Sequence, residues 1–144
     1  MADMSILNPY LNFRTEARAA LEFYETVFGG EATISSFREF GVEDMPEAER
    51  DLIMHGQLET PAGFTLMASD VPSHMEWSRG TNSFSVSLSG SAEDDAQLRG
   101  YWLKLSEGAD IQEPLATAPW GATFGMLTDR FGINWLVNIS ADAA

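Results

Sequence analysis

The 144-residue chain carries 22 acidic against 8 basic side chains, a net charge of −14, with 44% hydrophobic residues and no cysteine. The apolar content excludes a disordered chain, and the length suits one domain with a buried core. The shortage of cations argues against nucleic acid or an anionic membrane surface as a partner, and the missing cysteines exclude disulfides, thiolate metal ligands and cysteine nucleophiles.

No apolar run approaches the ~18 residues of a membrane-spanning helix. Met1-Ala2-Asp3 lacks the basic start and apolar run of a secretory leader, so a cytoplasmic protein is expected.

In chain order, Ser5 to Phe13 reads as a first strand, with Leu11 and Phe13 on one face and Asn8, Tyr10 and Asn12 on the other. Thr15 is a candidate N-cap, and Glu16 suits the positive helix end. Ala17, Ala20, Leu21, Tyr24 and Phe28 then fall on one helical stripe, which Gly29-Gly30 closes. Ala32 to Phe40 reads as a second strand. Gly41 to Arg50 is acidic, holds Pro46, shows no apolar period and reads as a mobile surface loop. Asp51 to Glu59 and Gly63 to Ser69 read as strands around the turn Thr60-Pro61-Ala62-Gly63.

Asp70 to Gly80 reads as a connector, after which the pattern starts again. Asn82 to Leu88 is a strand. Ser91 is an N-cap candidate, and Asp94 three residues on makes a capping-box-like pair. Leu98, Trp102 and Leu105 form a buried stripe. Ile111 to Thr117, Ala122 to Thr128 and Ile133 to Ile139 are strands, the last two flanking Asp129-Arg130-Phe131-Gly132. Strand, helix and three strands thus occur twice. This is α+β with antiparallel hairpins: a single domain of two βαβββ modules, about 5–70 and 82–140, joined by connector 70–81 and sharing one sheet, with a ligand site where the modules face each other.

Asn8-Pro9-Tyr10-Leu11-Asn12-Phe13, Ala20-Leu21-Glu22-Phe23-Tyr24 and Phe28-Gly29-Gly30-Glu31 resemble the opening of the PhnB-like branch of the vicinal oxygen chelate superfamily. That superfamily includes glyoxalase I, extradiol dioxygenases and bleomycin resistance proteins. Met54-His55-Gly56, Leu66-Met67-Ala68-Ser69-Asp70-Val71-Pro72, Phe124 to Gly132 and Trp135-Leu136-Val137-Asn138 follow in the same order. The resemblance implies a cupped sheet around a small ligand, and a homodimer.

Catalytic members of the superfamily hold a divalent metal with His, Glu or Gln from the first and last strands of each module. The corresponding positions here are about Asn8, Met67, Ser85 and Leu136. None is a histidine or carboxylate, leucine cannot coordinate, and a shift of one residue does not restore the set. The family metal site is therefore expected to be absent and no cofactor is expected. The alternative is a divalent metal relocated near His55 with Glu59 or Glu113, serving a lyase, isomerase or dioxygenase.

His55 is the candidate for chemistry. It shares a strand face with Gln57 and Glu59 and would serve as general base or hydrogen-bond donor, or else as a structural histidine. Tyr10, Asn12, Gln57, Met67, Ser85, Ser87 and Asn138 would line a neutral polar cup with it. Trp120, placed at the opening of the penultimate strand, would be a ring platform for a flat ligand or a core residue. Trp102 and Trp135 read as core, Glu113 and Asp129 as turn or surface acids, and His74 as a surface residue. The segment Met75-Glu76-Trp77 offers a third reading, a protein contact surface. The favoured expectation is a metal-free, small-molecule-binding homodimer.

Overall fold

The computed structural model describes residues 5–80 and 83–141. It divides into two compact units, Met1–Ser78 and Arg79–Ala144, each with its own sheet. The first unit contains β1 (Tyr10–Phe13), α1 (Ala17–Phe28), β2 (Glu31–Ser36), β3 (Ile53–Glu59) and β4 (Thr65–Asp70). The second contains β5 (Val86–Gly90), α2 (Asp95–Leu105), β6 (Asp110–Thr117), β7 (Thr123–Thr128) and β8 (Asn134–Ile139). Both sheets are mixed and four-stranded, ordered β1-β4-β3-β2 and β5-β8-β7-β6. In each, the first strand runs parallel to the last and the remaining pairs are antiparallel. The doubled βαβββ pattern is therefore present, as two sheets. No helix among the described residues is long and apolar enough to cross a membrane.

Helix α1 buries Ala17, Ala20, Leu21, Tyr24, Val27 and Phe28, a stripe that Val27 extends beyond the expected residues. Burying large side chains of this kind contributes about 1.5–3 kcal/mol each. The opposite side of that core comes from the sheet: Leu11 and Phe13 of β1, Leu58 of β3, and Leu66 and Ala68 of β4 are all buried. Gly30, at φ 87°, is needed at the exit of α1, because a Cβ there would collide with the Glu59 carbonyl oxygen.

The start of α1 departs from expectation. The N-cap residue is Glu16, not Thr15, and its side chain makes no cap. The Asp70 carboxylate does that work from the end of β4. Its Oδ1 accepts from the Ala17 N–H at 2.9 Å, and its Oδ2 from the Ile53 N–H at 2.9 Å. One buried carboxylate thus joins the helix N-terminus to the first residue of β3, and Asp70 belongs to the sheet rather than to the connector. Burial pushes its pKa up, while the Ile53 and Ala17 N–H groups pull the other way. In the second unit the cap is local, as expected. The Ser91 N–H donates to Asp94 Oδ2 at 3.0 Å, and the box opens a short 3-10 turn that runs into α2.

β2 stops at Ser36 instead of Phe40. Ser36 and Glu39 bond reciprocally, Ser36 N–H to Glu39 Oε1 at 2.8 Å and Glu39 N–H to Ser36 Oγ at 3.1 Å. This Ser-x-x-Glu pair turns the chain out of the sheet. The acidic loop that follows is braced, not free. Arg38 pairs with Glu47 at 2.8 Å and Asp51 at 2.9 Å, and Arg50 Nη2 donates to the Glu43 carbonyl at 2.8 Å. β1 is shorter than expected because its ladder with β4 begins at Tyr10. β5 begins at Val86, and Asn82, the expected start of the second module, lies outside the described residues.

Three hairpins close with one turn chemistry. In Thr60-Pro61-Ala62-Gly63, Ala118-Pro119-Trp120-Gly121 and Asp129-Arg130-Phe131-Gly132, the glycine N–H returns to the carbonyl three residues back. These glycines have φ of 91°, 100° and 90°. A tight turn followed by a left-handed glycine is a common hairpin closure.

Candidate functional site

Each helix covers one face of its sheet and leaves the other open. In the first unit the strand register sets Tyr10 beside Met67, Met67 beside Gln57, and Gln57 beside Thr33. The neighbouring row holds Asn12, Ser69, His55 and Ser35. The open face therefore gathers Tyr10, Asn12, His55, Gln57 and Met67. A depression of about 250 Å³ on it is lined by Glu31, Thr33, His55, Gln57 and Glu59. Glu31 and Thr33 were not among the expected residues. Their alternation with half-buried Ala32 and Ile34 along β2 is the signal that would have found them.

A run of side-chain hydrogen bonds crosses this face. Tyr10 Oη lies 3.5 Å from His55 Nδ1, His55 Nε2 lies 3.4 Å from Gln57 Oε1, and Gln57 Nε2 donates to Glu59 Oε2 at 3.2 Å. The Tyr10 and His55 rings are tilted against each other with centroids 6.1 Å apart. Ser69 Oγ donates to Asn12 Oδ1 at 3.4 Å. Beside this face, Trp77 Nε1 donates to the Asn12 carbonyl at 2.9 Å, along β1. Arg14 donates to the carbonyls of Val71, Pro72 and Met75 and lies 5.9 Å from the centre of the Trp77 ring. The connector is therefore folded onto the first unit, with Met75 and His74 exposed and Trp77 half-buried.

The open face of the second unit is different in character. Ser87 stands beside Leu136 and Leu136 beside Met126, while Ser89, Asn138 and Phe124 form the next row. Ser85 precedes β5 and lines a hollow of about 410 Å³ with Gln112, Met126, Thr128, Asn134 and Leu136 among others. Ser85, Ser87 and Asn138 thus belong to this unit's open side, and Gln112, Met126, Thr128 and Asn134 were missed. Thr128 Oγ1 donates to Asn134 Oδ1 at 2.7 Å, and Gln112 Nε2 to Thr128 Oγ1 at 3.1 Å.

Trp120 is a correction. It sits in the turn before β7, not at the opening of that strand, and is 79% exposed. Pro119 and Gly121 set up the tight turn that lifts it off the sheet. Asp129 is a turn acid as expected, but a buried one. Its Oδ1 accepts from the Phe131 and Ile133 N–H groups and its Oδ2 from Trp135 Nε1 at 2.9 Å. Trp102 and Trp135 are core residues. Glu113 is exposed on β6 in the second unit, whereas His55 and Glu59 belong to the first.

The four positions that the resemblance implied for metal ligands, Asn8, Met67, Ser85 and Leu136, are equivalent in the two units. Met67 and Leu136 lie at matching places on β4 and β8. Asn8 and Ser85 each stand two residues ahead of the partners of those residues, Tyr10 and Ser87. Their chemistry does not suit a divalent ion: a thioether, an alkyl chain, a carboxamide and a hydroxyl. Among the described residues, no group of three or more His, Asp or Glu side chains could hold a metal ion.

A family model described as 3-demethylubiquinone-9 3-methyltransferase matches residues 5–138. The chain is similar to protein PA1353 from Pseudomonas aeruginosa, at 35% identity over 96% of this chain and 100% of that one, with a TM-score of 0.76. A PhnB protein from Bacillus cereus shares the fold at 20% identity, covering 94% and 100% of the two chains with a TM-score of 0.71. A glyoxalase/bleomycin resistance protein/dioxygenase family enzyme from Burkholderia phytofirmans PsJN shares it at 16% identity, covering 90% and 95%, with a TM-score of 0.52. The chain therefore belongs to the family of that model, and it has the fold of the PhnB protein and of the glyoxalase/bleomycin resistance/dioxygenase family enzyme.

Proposed function

We propose that this protein binds a small molecule on its open sheet faces, as a homodimer in which the metal site of the superfamily has been lost. The observation that carries the reading is the occupancy of the four metal positions by Asn8, Met67, Ser85 and Leu136, beside a preserved open face of polar side chains. His55 supports it as well. Both of its ring nitrogens already have side-chain partners, so coordination of a relocated ion would first have to break one of those hydrogen bonds. The methyl transfer named in the description of the family model draws no support from the site. The chain has no glycine-rich loop between a strand and a helix of the kind that cradles a nucleotide. The dimer is supported by the open edges of both sheets, which need cover.

Elemental analysis of the purified protein, combined with its native mass, tests the reading. The expected result is no stoichiometric divalent ion and a particle of two chains. One tightly held divalent ion per chain overturns the loss of the metal site, and a monomeric particle overturns the dimer.

A further inference from the structure

The hydrogen bonds on the first open face run in one direction, and the chemistry of the groups fixes which. The Glu59 carboxylate only accepts, so the Gln57 amide must turn its NH₂ toward it, and Gln57 Nε2 does lie 3.2 Å from Glu59 Oε2. That leaves Gln57 Oε1, an acceptor, facing His55 Nε2 at 3.4 Å. His55 Nε2 must then carry the proton, and Nδ1 of the neutral ring is bare. The Tyr10 hydroxyl, 3.5 Å away, is therefore the donor to Nδ1. Every proton points from Tyr10 toward Glu59, so each bond polarises the next donor and strengthens the bond that donor makes.

Two consequences follow for a ligand, given the small-molecule reading above. His55 has no nitrogen left to offer it. The Tyr10 oxygen has committed its hydrogen inward, keeps its lone pairs, and belongs to a side chain that is 46% exposed. We infer that Tyr10, rather than His55, meets the ligand on this face, and that it accepts the hydrogen bond and then the proton of a weakly acidic hydroxyl group. As the O–H bond of the ligand breaks and its proton joins Tyr10 Oη, the Tyr10 proton passes to His55 Nδ1. The products are a ligand oxyanion and an imidazolium. The imidazolium is held by Gln57 Oε1 and, through Gln57, by the charge of Glu59. Contacts of this length can tighten when a ligand closes the row.

The titratable groups that face His55 are Tyr10 from β1, Glu31 from β2 and Glu59 from its own strand. β4 presents only Met67 and Ser69, which are neutral.

Two measurements on the full chain test this. The first is nitrogen-15 NMR of the histidine rings near neutral pH, where a proton on Nε2 and a bare Nδ1 at His55 are expected. A ring protonated on Nδ1 overturns the inference. The second uses 4-nitrophenol, whose ionised form absorbs visible light. At a pH where the free probe is protonated, binding should produce the phenolate band. Tyr10→Phe and His55→Asn should each lose that band per molecule of probe bound, the bound probe being counted by equilibrium dialysis. A band of equal strength in Tyr10→Phe overturns the relay and leaves the ligand reading standing. Failure of every form to bind the probe overturns the ligand reading for this face, and the inference with it.

Discussion

Replacing Asp70 tests the claim that one buried carboxylate ties α1 to the sheet. Asp70→Ala strands two buried donors, the N–H groups of Ala17 and Ile53, each bonded at 2.9 Å in the native protein. A buried donor left without a partner costs about 1–3 kcal/mol. Part of that sum is offset because the variant no longer buries a charge, so the expected net loss is about 3 kcal/mol. Asp70→Asn keeps one acceptor oxygen and loses the other, so it should lose about half as much. Urea unfolding followed by circular dichroism near neutral pH reads both values. A loss in Asp70→Ala of less than about 0.5 kcal/mol, the range of an ordinary surface substitution, refutes the bridging role.

The same pair of proteins gives a pH test. Burial holds the folded pKa of Asp70 above its ordinary value, so the folded state binds this proton more tightly than the unfolded state. The stability that follows from it is fully present below the ordinary carboxylate pKa of about 3.9 and is lost as pH rises through the folded pKa. Asp70→Asn has no proton to titrate there. The stability of the native protein relative to Asp70→Asn should therefore fall as pH rises across that window. A relative stability that rises instead contradicts the dominance of burial over the two hydrogen bonds.

Gly125→Ala should destabilise by about 1–3 kcal/mol, as overpacking of a filled core does. The new Cβ would lie 2.8 Å from Trp102 Cη2 and 3.0 Å from the Leu115 backbone. Thermal unfolding measures it, and an unchanged midpoint would mean that β7 and α2 are packed more loosely than described. Arg14→Ala removes three hydrogen bonds to the carbonyls of Val71, Pro72 and Met75 together with the contact on Trp77. Amide exchange between Val71 and Trp77 should quicken while β3 and β4 stay protected; equal exchange in both proteins would show that the connector is held by something else. Asp129→Ala leaves the Phe131 and Ile133 N–H groups and the Trp135 indole N–H without their acceptor. A loss of at least about 2 kcal/mol is expected in urea unfolding, and no loss would show that these donors find other partners.

Much of this architecture could be read from the residues because it is encoded locally. A helix announces itself by the spacing of Ala17, Ala20, Leu21, Tyr24 and Phe28. The hairpins at Gly63 and Gly132 follow from turn residues, and the cap at Ser91 from its partner Asp94 three positions on. Each of these depends on bonds within a few residues, so sequence spacing is enough. The end of β2 was readable by the same logic, since Ser36 and Glu39 form a reciprocal pair of the same spacing, but β-propensity through Phe40 masked it. The turn holding Trp120 was open to the same reading, from Pro119 and Gly121.

What the amino-acid sequence determined by itself is therefore the doubled βαβββ order and the apolar stripes. Only the tertiary structure decided that Asp70 caps a helix begun far earlier in the chain. It also set Glu31 and Thr33 beside His55, and it joined Tyr10, His55, Gln57 and Glu59 into one directed row. The physical reason is strand register. Side chains from different strands meet only once the ladders are paired, and a slip of one residue would send each of them to the opposite face.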